Sequence, residues 1–165
     1  MLQFLESSAE DLYQSAVKAF PNTTKRQHSV QPIVIRELRW TPFVGVKTLF
    51  LKGLAESSER EYGPVVLFKG VNYDGNQVKI TASDGIEYSF DKLSLENTDV
   101  LVRCQCGDFF WRGNYANYLD GSLQGPKRKK YESHGGPPVN PTNAPMLCKH
   151  LMKMIKVIAE AGIFI

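Results

Sequence analysis

The sequence predicts an α+β chain: an N-terminal helix, a small antiparallel β-domain built as a sheet or a barrel, and a C-terminal cysteine-bearing module with a long loop insert. Three observations predict it. Apolar residues recur at helical spacing near both ends of the chain. Between Pro32 and Arg103 they fall instead in short β-branched runs separated by Gly, Pro and Asp-Gly turns. The three cysteines all lie within residues 104–148.

Taken in order, Ser7 or Ser8 can cap a first helix, with Glu10 or Asp11 three residues on completing a capping box. Leu12, Ala16, Ala19 and Phe20 share one face, and Pro21 stops the helix. Residues 22–30 are polar and turn-like, so 1–30 reads as helix plus linker. The β-domain, 31–98, opens with Ile33–Trp40, closed by Pro42, and a second run at Val44–Leu51. Trp40 and Phe43, flanking Pro42, read as core or sheet-edge residues. Glu56, Glu59 and Glu61 read as an acidic surface loop, and Val65–Phe68 as a strand. Asp74-Gly75 is a turn, and Val78–Ala82 with Ile86–Phe90 forms a hairpin about Ser83-Asp84-Gly85. The last part, 99–165, begins with a strand at Val100–Arg103. Its insert, 107–147, is dense in Gly, Pro, Asn and Tyr, so Phe109–Pro145 reads as loop. Leu151–Ala161 returns to helical period.

A length of 165 residues fits one domain, or one with a small appendage, and 42% hydrophobic residues are enough to build a core. No run approaches the roughly 18–20 apolar residues that span a bilayer. Met1–Glu6 lacks a basic n-region and apolar core, so secretion through a signal peptide is not expected. The net charge of +3 is too mild to argue for nucleic acid alone. It is unevenly placed, however: residues 1–103 sum to −1 and residues 104–165 to +4. An odd number of cysteines cannot all pair internally, which suits a reducing compartment and a metal or reactive thiol.

Cys104-Gln105-Cys106 and Cys148-Lys149-His150 supply three thiolates and an imidazole in two pairs, a complement suited to one tetrahedral, structural Zn2+. Cys104 and Cys106 follow a strand, where alternate residues point the same way. Cys148 and His150 precede a helix, whose first turn can bring the imidazole back. Four protein ligands leave no open position for a catalytic water. Competing readings are three ordinary buried thiols, His134 or His28 as a substitute ligand, and a Cys148–His150 nucleophile pair. Side chains at i and i+2 of a helix diverge by about 200°, which is poor for a hydrogen-bonded dyad. Paired carboxylates, a Gly-rich phosphate cradle and a Ser/His/Asp order are not evident, so an enzyme is not expected.

The pattern Cys-x-Cys…Cys-x-His resembles the SWIM-type zinc finger, a ββα module. With its flanks, Val102–Arg112, Pro137–Pro141 and Ala144–Leu151, it is similar to small SWIM-bearing proteins of tailed bacteriophages over about residues 99–161. The resemblance implies that Cys104 and Cys106 form a hairpin pair and Cys148 and His150 a helix pair. The 41 residues between Cys106 and Cys148 exceed the spacing in most such fingers. It further implies a phage-encoded, non-enzymatic structural or interaction protein of the virion (neck, tail or baseplate) and of the host cytoplasm. Its partners would be other phage structural proteins, in a symmetric oligomer. The alternative implication is a nucleic-acid-binding factor in the infected cell. Lys127, Arg128, Lys129 and Lys130, with Trp111 and Tyr131, are the candidate contacts, since cations among aromatic platforms grip single strands. The same cluster also reads as a solvated loop packed over the metal module, or as a seat for an acidic protein.

Overall fold

Alternating burial in one ten-residue strand decides where the core lies. The computed structural model describes residues 7–21, 33–57, 60–131 and 135–165. The expected linker 22–30, Glu59, His28 and His134 lie outside them. Strand β1 (Val34–Phe43) pairs antiparallel along nearly all of β2 (Thr48–Ser57). Leu49, Leu51, Gly53, Ala55 and Ser57 of β2 point inward, and the residues between them face out. The other edge of β2 receives β3 (Arg60–Tyr62) and then β4 (Val65–Phe68), and β7 (Val100–Arg103) pairs with β4. The result is an open antiparallel sheet in the order β1-β2-β4-β7, with β3 beside β2. A separate hairpin joins β5 (Val78–Thr81) to β6 (Glu87–Phe90).

Three expectations for this half shift. The first strand runs through Pro42 to Phe43. Proline is tolerated there because β1 is an edge strand, and the residue still sits opposite Leu49. Along that edge, Trp40 donates its N–H to Ser83 Oγ and accepts the Ser83 N–H, which covers part of the ladder. The expected strand at Val44–Leu51 begins only at Thr48, because Val44–Val46 form a 3-10 turn and Lys47 takes φ +53° to reverse the chain. Glu56 and Glu61 are not a loop. They sit opposite each other on β2 and β3, and Arg36 pairs with Glu56 at 2.6 Å.

Helix α1 (Ala9–Ala19) starts as the sequence predicts. Ser8 Oγ accepts the Asp11 N–H, and Asp11 returns the bond to the Ser8 N–H, each at 3.1 Å. Leu12 and Ala16 are buried. Two backbone bonds, Val100 N–H to Ser7 and Glu10 N–H to Leu95, fasten the helix start to the chain around β7.

The remaining chain differs most from expectation. Residues 107–120 are helical, with a π turn at Phe109–Gly113 leading into α2 (Asn114–Asp120). Gly and Asn are poor helix formers, so propensity argues for loop. Burial of Phe109, Ala116 and Asn117 overrides it. After Gly121 the chain runs beside β7, where Val102 bonds to Ser122 and Gln124 on either side of a parallel bridge to Leu123. Helix α3 (Lys149–Glu160) buries Leu151, Met154, Ile155 and Ile158 and packs against β1 and β2. A Cβ on Gly53 would lie 3.1 Å from Met154 Sδ, which explains a glycine inside β2. Each such side chain contributes about 1.5–3 kcal/mol by leaving water. One apolar cluster extends from Ala9 to Ile163 and includes all three cysteines. No helix among the described residues is long and apolar enough to cross a membrane.

Candidate metal centre

Strand β7 delivers Cys104 to the inner side of the sheet, because Val102 two residues earlier is buried on that side. Cys106 follows at the head of the helical run, where the Phe110 N–H bonds its carbonyl and the Phe109 N–H points at its Sγ from 3.4 Å. Cys148 is the residue just before α3, and His150 lies in that helix's first turn. All four are buried, with one donor atom from each within 4.8 Å of all the others. Cys104 Sγ and His150 Nδ1 are 3.9 Å apart.

The donor set fits one metal ion. Bond lengths of about 2.3 Å to sulfur and 2.0–2.1 Å to nitrogen place tetrahedral ligand atoms roughly 3.5–3.8 Å apart, a small contraction from the arrangement observed. The electrostatics point the same way. The Cys106 thiol is held well below its ordinary range, first by a hydrogen bond from Cys104 and then by one from Cys148. Cys104 is pushed up to about 12, chiefly because it shares its proton with Cys106. Burial, reinforced by its two thiol neighbours, drives Cys148 well above its usual value. Burial and mutual contact thus split the titration of the three sulfurs, raising Cys104 and Cys148 and lowering Cys106. A divalent cation at their centre overrides that split and favours thiolate at each. His150 Nε2 is buried without a hydrogen-bond partner among the described residues, while the ring packs on Tyr62 of β3, centroids 4.5 Å apart.

The chain matches no family model, no curated protein and no solved structure.

The two pairs that the sequence singles out converge in space, but the surrounding elements run strand, helix, helix. The residues after Cys106 turn directly into the 107–120 helix. Gln105, between the two cysteines, is exposed and accepts the Gly63 N–H at 2.9 Å, which ties the Cys-x-Cys turn to the β3–β4 connection.

The basic run lies along the aromatics. Lys127 sits over the Tyr118 ring at 4.8 Å and Arg128 over Phe110 at 4.3 Å. Trp111 and Tyr131 pack together at 4.5 Å and are both exposed, as are Lys129 and Lys130. Arg103, next to Cys104, donates to the carbonyls of Gln124 and Pro126 and so fixes the start of this segment.

Sequence reasoning missed Asn117, Asn140 and Tyr62. No periodicity marks an isolated Asn or Tyr. The Pro137–Pro141 flank contained Asn140 but gave no reason for it.

Proposed function

We propose that this is a non-enzymatic structural or interaction protein in which Cys104, Cys106, Cys148 and His150 hold one structural Zn2+. The convergence of four buried soft and borderline donor atoms within 4.8 Å carries the reading. Four protein ligands complete a tetrahedral shell, which is the composition of a structural rather than a catalytic zinc site. The ion would join the end of β7 to the start of α3 and so hold the cover of the sheet in place. Zinc content of the chain, purified without added metal, tests this. One zinc per chain is expected, with cobalt substitution giving the absorption of a tetrahedral three-sulfur site. Metal-free protein of unchanged stability overturns it.

The finer reading is a SWIM-type component of a tailed-phage virion, supported by the Cys-x-Cys…Cys-x-His spacing and its flanks. Quantitative mass spectrometry of gradient-purified particles should find a fixed copy number per particle. Absence from particles, with abundance in infected cells, favours the second reading, a nucleic-acid-binding factor. That reading is supported by the exposed Trp111–Tyr131 pair beside Lys129 and Lys130. It is weakened because Lys127 and Arg128 already cover two aromatic faces. Affinity for a single strand that falls steeply with salt is its signature.

A further inference from the structure

We infer that Asn117 and Asn140 are positioning residues for the metal, setting where Cys148 and His150 stand relative to Cys106. The inference rests on the metal reading above.

The problem they address is one of chain length. Forty-one residues separate Cys106 from Cys148, and the stretch from Asn140 to Leu147 has neither strand nor helix to hold it. Two side-chain amides shorten that path. Asn117 is fully buried in α2. Its Nδ2 donates to the Met146 carbonyl at 2.9 Å, and its Oδ1 accepts the Met146 N–H at 2.8 Å. Both polar groups of Met146 are thereby paired with one side chain, two residues before Cys148. Asn140 does the same for the preceding turn. Its Oδ1 accepts the Ala144 N–H, and its Nδ2 donates to the carbonyls of Ala144 and Arg112, each at 3.0 Å. Arg112 belongs to the π turn, and that helical run begins at the residue after Cys106.

The two ligand pairs are thus connected through one helix and two amides, not only through the long chain. Only an amide offers a donor and an acceptor at this reach. Aspartate would set an oxygen against a carbonyl in both places. An apolar isostere would leave buried backbone groups unpaired. Gly113 permits the close approach: a Cβ there would stand 2.9 Å from Phe109 Cδ2 and 3.1 Å from Met146 Cγ.

The test is Co2+ affinity of the full chain against a competing chelator, for Asn117→Asp, Asn140→Asp and the α1 core variant Leu12→Ala, which touches neither amide's hydrogen bonds. Both Asn variants should bind about 10–100-fold more weakly, with the sulfur-to-cobalt absorption per bound ion unchanged. Leu12→Ala should lower the urea midpoint yet bind cobalt normally. If Asn117→Asp does not fold, Asn117→Ser gives the same comparison. Unchanged affinity in the Asn variants overturns the inference. So does an equal loss in Leu12→Ala, which would make the amides general stabilisers. If the unmodified chain binds neither cobalt nor zinc, the metal reading itself falls.

Discussion

The β1–β6 region and the stretch from Cys104 to Cys148 are held by different means among the described residues. The first is held by repetition: each strand adds a ladder and a row of inward side chains such as Leu49, Leu51, Val66 and Phe68. The second is held at a few points: the Cys3His cluster, the two buried asparagines, and the Arg103 guanidinium on the carbonyls of Gln124 and Pro126. A repetitive structure loses stability gradually as contacts are removed. One held at points fails at each point.

The largest test of that difference is Cys148→Ser. Structural zinc contributes on the order of 10 kcal/mol in small fingers, comparable to the whole stability of a typical domain. The variant, or the chelated protein, should therefore lose the fold from residue 104 onward. Because α3 packs on β1 and β2, with Met154 against Gly53, from the far side of that break, the sheet should become protease-sensitive too. A digestion pattern identical to that of the unmodified chain would erase the contrast between the regions.

The second test is the pH dependence of urea unfolding, with and without zinc. With zinc bound, stability should fall steeply in acid, as protons displace the metal from its thiolate and imidazole ligands. In the metal-free chain, where the fold from residue 104 onward is already lost, that acid transition should be missing. Tyr73, raised to about 12 by burial, should keep a smaller alkaline decline in both forms, between about pH 10 and 12. Identical profiles with and without zinc would show that the metal is not bound by the thiols.

Smaller effects come from single packing points. Gly113→Ala forces a methyl against Phe109 and Met146, and should cost about 1–3 kcal/mol in urea unfolding. Smallest is Ser8→Ala, which removes half of the α1 capping box and should cost about 1 kcal/mol. If the second exceeds the first, the insert is more yielding than its close contacts indicate.

The same contrast explains what could be read from residues alone. The cap of α1, the β5–β6 hairpin, β4, β7 and α3 all carry periodic or turn signals, and each appears close to where those signals place it. The Cys3His cluster was legible because two cysteines one apart and a Cys-x-His pair offer four soft or borderline donors in matched pairs. The helix at 107–120 was not, since its reasons for forming are Phe109, Ala116 and Asn117 meeting partners far along the chain. The β2–β3 pairing was missed because Glu56 and Glu61 look solvated, and they are indeed on the outer side of a strand pair. Local pattern reports only forces that repeat locally.

The separation of the two ligand pairs also has a consequence in time. At about 5–20 residues per second of synthesis, the 41 residues between Cys106 and Cys148 take roughly 2–8 s to appear. Throughout that interval a nascent chain presents Cys104 and Cys106 as an incomplete chelate on a sheet whose inner face lacks α3. Any metal taken up then would be shared with solvent or glutathione, and the bare face would be open to chaperones. On the zinc site proposed above, final capture of the ion would coincide with closure of the core, and a cell short of zinc would accumulate this protein as an aggregation-prone sheet and not as an empty, folded one.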